Sequence, residues 1–265
     1  MEVPLFPLHT VLCPGIVMPL HIFEERYRAL TRHCIETGSP FGIVLIREGV
    51  QVGSTTSLSV AGVGALAEIR EASRYADGRY DLLVAGTGRF ALEGVDVSSE
   101  PYLVGTVTDL DDEVGDETLA EQLSAAAVRR FVRYLELLRT RDGEAGDILD
   151  IRVEVDTRRE PLVTDDDDAD AMAAELLIDA SDEEAELEPV LEPRLLIPDD
   201  PTTLSYLLSG TIQAELPRRQ ALLEAETTVE RLADLLVLLD REILLLGRRL
   251  RFFSPEASIG EARRS

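Results

Sequence analysis

Near Asp112 the spacing of apolar residues changes, and one kind of layer cannot accommodate both spacings. Before it, short apolar runs follow one another: Val3–Leu8, Ile16–Ile22, Phe41–Ile46, Val60–Ala72, Tyr80–Ala85, Phe90–Val97 and Tyr102–Val107. Glycine, proline and aspartate stand between them, which is how strands of a barrel or sandwich are punctuated. After it, Leu123, Ala127, Phe131, Leu135 and Leu138 recur every three or four residues, one face of a helix. The pattern predicts an α+β chain: a sheet domain over residues 1–112, then a helical domain over 113–252 and a flexible tail over 253–265.

Within the sheet half, Pro4, Pro7, Pro14 and Pro19 interrupt the first two runs. Proline offers no N–H to a ladder, so these runs suit edges and bends. Pro14-Gly15 marks a tight turn, and Asp77-Gly78 is a hairpin dipeptide. One helix is expected over Glu24–Thr37. Its two leading carboxylates suit a helix N-terminus, Tyr27, Leu30 and Cys34 share a face, and Gly38 stops it.

In the helical half, Asp200-Pro201 reads as an N-cap followed by a first-turn proline. Thr227 and Glu230 form a capping box. Behind it Leu232, Leu235, Leu236, Leu239, Ile243, Leu246 and Leu250 line one face of a long amphipathic helix. Residues 142–193 break the pattern with 20 acidic residues against three arginines. They carry −17 of the chain's −25 charge. So little apolar surface does not offset ordering entropy, so an acidic insertion with islands of structure is expected there.

The order of these pieces resembles the Lon protease N-terminal domain, also called the Lon substrate-binding domain. The residues that carry the likeness are Pro7-Leu8, Val11, Pro14-Gly15, Pro19-Leu20, Phe23-Glu24 and Arg26-Tyr27. It continues through Val63-Gly64 with Ala67 and Ile69, Asp77-Gly78, a Gly86 turn with Arg89-Phe90, and Pro101-Tyr102-Leu103. In the helical half it rests on Arg219-Gln220, Leu222-Leu223-Glu224 and Arg231-Leu232. The resemblance implies a PUA-like antiparallel β-barrel followed by a helical domain ending in a long helix. It also implies a role in contacting polypeptides, and says nothing about the acidic insertion.

The chemistry visible in the chain is mostly exclusion. All 26 basic residues are arginine, and there is no lysine, asparagine or tryptophan. Genome composition or salt adaptation both account for that bias. A Walker-type phosphate loop needs a lysine, as does a Ser–Lys peptidase dyad, so this chain holds neither. His9, His21 and His33 have no metal-ligand spacing with Cys13 and Cys34. Gly62-Val63-Gly64 lacks the third glycine of a dinucleotide site, and Asp165–Asp168 lacks the glycine and glutamate of an EF-hand. No cofactor or metal site is expected. No window is apolar enough to span a membrane and no secretory signal is visible, so a cytoplasmic location is expected.

The expected function is a non-catalytic polypeptide-binding module, an adaptor or chaperone-like protein. An enzyme of undetected mechanism and an RNA-binding PUA-like protein are the alternatives, the second opposed by the −25 charge. Glu24, Arg26 and Arg89 stand as charged residues inside apolar motifs. They are candidate partner contacts, or else ion pairs and turn caps that hold the barrel together.

Overall fold

The computed structural model describes residues 1–48, 59–97, 99–142 and 197–253. The acidic insertion and the C-terminal tail, apart from Asp142 and Phe253, lie outside them. As the change of period implies, an α+β architecture results. Seven strands come first: β1 (Glu2–Leu8), β2 (Val17–Ile22), β3 (Phe41–Glu48), β4 (Ser59–Val60), β5 (Val63–Arg74), β6 (Tyr80–Asp96) and β7 (Leu103–Leu110). Helix α1 (Glu25–Thr37) lies between β2 and β3, and α2 (Glu117–Asp142), α3 (Pro201–Thr211), α4 (Leu216–Glu224) and α5 (Thr228–Phe253) follow.

The strands close into a ring. Antiparallel pairing runs β1-β7-β6-β5-β3, and β1 then meets β3 in parallel, with Leu5 opposite Gly42 and Leu8 opposite Leu45. Strands β2 and β4 lie off this ring, on β6 and β3. A compact floor of Val3, Leu5, Val44, Phe90 and Val107 fills one part of the interior. The larger cluster runs from Phe6, Tyr27, Phe41 and Leu82 to Tyr206, Leu207 and Leu223, so the helices pack onto the same core.

Gly86 corrects the sequence reading of a turn between two strands. Residues 80–96 are one strand, and the glycine marks a bulge within it. Before the bulge β6 pairs with β2, and beyond it with β7, while β5 follows it on the other side. A Cβ at Gly86 would sit 2.3 Å from the Cys13 carbonyl oxygen. That close approach lets Gly86 exchange backbone hydrogen bonds with Gly15 and Ile16. Glycine here serves backbone contact without reversing the chain.

Local signals place the helices. Glu24 is the N-cap of α1, and Gly38, at φ 68°, ends it with its N–H on the Cys34 carbonyl. The Asp200 carboxylate accepts from the Thr203 N–H at 2.7 Å. The box at the start of α5 is formed: the Glu230 N–H donates to Thr227 Oγ1 at 3.1 Å, and the Thr227 N–H to Glu230 Oε2 at 3.3 Å. Helices α2 and α5 lie side by side in the same direction. Glu113 bridges Thr227 in parallel just before both begin, and Arg130 meets Asp240 farther along. The buried stripe of α2 is Ala120, Ser124, Ala127, Phe131, Tyr134 and Leu138, rotated slightly from the expected one, with Leu123 and Leu135 only half-buried.

Candidate functional site

Two features coincide at the β2–α1 corner. Among the described residues β2 pairs with β6 alone, so its other edge carries no strand. Such an edge presents backbone donors and acceptors to an added strand, interrupted here by Pro19. Beside it lie two large exposed side chains, Phe23 at 62% and Tyr75 at 44%. The His21 ring neighbours both, 6.2 Å from Phe23 and 6.4 Å from Tyr75, centre to centre.

Asp81 orients this aromatic group. Its carboxylate accepts from the Tyr75 hydroxyl and pairs with His21 Nδ1. The Tyr75 hydrogen bond first, and the His21 bond second, hold the Asp81 carboxyl below its ordinary range. A group depressed in this way keeps its partners above the unfolded value and loses them as pH falls through the folded one. An NMR titration of the Asp81 carboxyl carbon is expected to show a midpoint below that of an unperturbed aspartate. A midpoint at or above it means that the triad does not form in solution.

Of the three residues singled out in the sequence, two belong to this corner. Glu24 pairs with Arg26 at 2.8 Å, and the Arg26 guanidinium lies 4.6 Å from the Tyr27 ring centre. Arg89 is elsewhere and is 3% exposed, which withdraws it as a surface contact. Its Nη1 donates to the carbonyls of Leu223 at 3.0 Å and Ala225 at 2.6 Å, and Nη2 to that of Asp111 at 3.2 Å. Its Nε donates to Asp112 Oδ1 at 3.1 Å. The reason is local: α4 ends at Glu224, and its last carbonyls need donors that the helix itself lacks.

Arg231, which the sequence marks only through the Arg231-Leu232 motif, is the neighbour of Arg89. Arg231 is 0% exposed and donates to the Leu222 carbonyl at 3.1 Å and to Ser205 Oγ at 3.0 Å. Its guanidinium stacks 3.8 Å from the Tyr206 ring centre, and the Tyr206 hydroxyl donates to Asp112. Burial lowers the Arg231 pKa from its ordinary value, with neighbouring Arg89 adding to the effect. The available signal was an arginine inside an otherwise leucine-rich helix face.

The described residues offer few reactive groups. No group of three or more His, Cys, Asp or Glu among them is placed to hold a metal ion. Cys13 and Cys34 are buried, and burial pushes both thiols up to about 11, away from the nucleophilic thiolate. No described helix is long and apolar enough to cross a membrane. The corner's assets are its exposed aromatic surface and a strand edge that no described strand covers.

A family model described as the ATP-dependent protease La (LON) substrate-binding domain matches residues 2–241. A Lon protease from Porphyromonas gingivalis is 32% identical over 112 residues, 42% of this chain and 13% of that protein. Lon protease 2 from Herpetosiphon aurantiacus is 23% identical over 248 residues, 93% of this chain and 24% of that protein. The chain thus spans less than a quarter of the length of these relatives. A crystal structure of a Lon N-terminal domain protein from Xanthomonas campestris has the same fold, with a TM-score of 0.53 and 24% identity. It covers 89% of this chain and 98% of its own. The N-terminal domain of a Mycobacterium avium complex Lon protease aligns with a TM-score of 0.52 at 18% identity, over 91% of this chain and 98% of its own.

Proposed function

We propose, because this chain belongs to the ATP-dependent protease La (LON) substrate-binding domain family, that it is a polypeptide-binding module. It captures extended or unfolded segments and performs no chemistry on them, acting as an adaptor or chaperone-like protein in protein quality control. The observation that carries this reading is the open edge of β2 flanked by exposed Phe23 and Tyr75. An extended segment added to that edge gains main-chain hydrogen bonds, and its apolar side chains gain the aromatic surface beside it. Aromatic residues held in place by a neighbouring network lose little entropy on binding, and so make effective anchors. Here the Asp81 contacts supply that restraint for Tyr75.

The test is the binding of fluorescently labelled casein, an unfolded polypeptide, followed by anisotropy. The double substitution Phe23→Ser with Tyr75→Ser is expected to weaken binding at least about tenfold. Val132→Ser, an exposed position on α2, is expected to leave it unchanged. Equal binding by the wild type and the double variant removes the corner from the reading. No binding by the wild type removes the reading altogether.

A further inference from the structure

Away from the β2 edge, α2, α5 and the segment joining α3 to α4 enclose a groove of about 530 Å³. Its apolar lining includes Tyr134, Leu138, Leu245 and Leu246. Leu245 remains 40% exposed, whereas Tyr134, Leu138 and Leu246 are buried. Four charged side chains face the same space: Glu215, Arg219, Arg241 and Glu242. Three of them satisfy one another. Arg241 holds Glu215 at 2.9 Å and Glu242 at 2.5 Å, and Arg218 takes the second oxygen of Glu215 at 2.6 Å. These contacts lower the Glu215 pKa and raise that of Arg241.

Arg219 differs from the other three. It is half-buried, and no carboxylate among the described residues pairs with it. Its Nη2 is fixed by two carbonyls, Val11 and Gly210, each at 3.1 Å. Its Nε is buried without a hydrogen-bond partner. A guanidinium positioned by neutral acceptors has its full charge left over, and a partly desolvated cation of this kind attracts an anion more strongly than an exposed one does. The groove's remaining requirement is an apolar group to cover Leu245, beside the buried Leu138 and Leu246.

We infer that this groove binds the C-terminal residue of a polypeptide, its carboxylate on Arg219 and an apolar side chain on Leu138, Leu245 and Leu246. Charge complementarity selects this occupant. Among the described side chains, the groove's own carboxylates are neutralised by Arg218 and Arg241, so the lining charge left without an opposite partner is the positive one of Arg219. A second copy of a chain carrying −25 is opposed by long-range repulsion. The occupant's being a polypeptide rests on the function proposed above, but the surface is a different one.

The probe is a fluorescein-labelled decapeptide ending in leucine, prepared as the free acid and as the C-terminal amide. A third peptide is amidated and carries an internal aspartate. The whole chain is expected to bind the free acid at least about tenfold more tightly than the amide, since a desolvated charge-assisted pair is worth that much. Arg219→Gln is expected to bring the acid down to the level of the amide. Because Arg219 also anchors two carbonyls, Leu245→Glu serves as an independent variant: it alters an exposed side chain, and is expected to weaken the acid far more than the amide. Casein binding at the β2 corner is expected to survive both substitutions. Equal affinity for acid and amide, or discrimination that persists in either variant, overturns the assignment and leaves the β2 reading intact. If the amidated aspartate peptide binds as tightly as the free acid, the anion is a side chain, and the C-terminal assignment fails.

Discussion

Replacing Arg231 by alanine is expected to lower the stability of the folded chain by about 3–5 kcal/mol, the range seen when one member of a buried, hydrogen-bonded charge network is removed. The side chain is 0% exposed and satisfies the carbonyl of Leu222 and the hydroxyl of Ser205. Without it the Leu222 carbonyl at the end of α4 is left buried with no donor, and Tyr206 loses the cation stacked on its ring. One effect runs the other way: Arg89 and Arg231 repel, and removing either relieves the other. That relief is smaller than the loss, because Asp112 lies between them, 3.0 Å from Arg89 and 3.8 Å from Arg231. Urea unfolding followed by far-UV circular dichroism measures the difference. Removing Arg89 and Arg231 together should cost less than the sum of the two single changes, since they share Asp112 and the Ala225 carbonyl. A loss below about 1 kcal/mol for Arg231→Ala, the worth of one ordinary hydrogen bond, would show that the cluster is not a stabilising joint.

Phe90→Ala is expected to cost about 3–5 kcal/mol by the same measurement, the usual range for emptying a buried aromatic site. The ring is wholly buried in the barrel floor, and the chain has been shaped around it. A Cβ on Gly42 would come within 2.7 Å of Phe90 Cζ, and one on Gly64 within 2.5 Å. Both strands therefore carry a glycine where the ring rises. After truncation those glycines have no side chains with which to close the gap, so the cavity relaxes poorly. Phe90→Leu should recover much of the loss by refilling it. Gly64→Ala should not be rescued by a smaller residue at position 90, because its Cβ also meets the Ile43 backbone oxygen at 2.6 Å. Full suppression in the double variant would contradict the packing described here.

These two sites also mark where sequence reasoning stopped. Signals that act within a few residues were legible: the Asp200-Pro201 cap, the Thr227 and Glu230 box, the Gly38 stop, and the strands divided by proline and glycine. Each depends on backbone groups close along the chain. Arg89 could be read as a surface contact or as structural, because its carbonyl partners at Leu223 and Ala225 lie 134 and 136 residues away. Tyr134 was missed in the α2 stripe because a tyrosine carries a hydroxyl. That hydroxyl accepts the Gln213 N–H at 3.0 Å, which lets the ring be buried. The Gly86 bulge was read as a turn because glycine marks both, and only the approach of Cys13 distinguishes them. At the candidate corner, Glu24 and Arg26 were found through motif spacing. Phe23, Tyr75 and Asp81 gather there only when the β5–β6 hairpin folds against β2.

The parallel seam between β1 and β3 sets a timetable. Strand β1 is made first, and its two neighbours are β3, some 40 residues later, and β7, about 100 residues later. Synthesis at roughly 5–20 residues per second puts β7 roughly 5–20 s behind β1. Until then Val3, Leu5 and Phe6 have at most one flank covered, and the ring stays open along the β1–β7 line. A nascent chain that stalls before Leu103 therefore leaves β1 with one unpaired edge beside an apolar face, the kind of surface that seeds aggregation. Helix α4 emerges later still, so the Arg89 guanidinium waits more than 130 residues for the Leu223 and Ala225 carbonyls it holds.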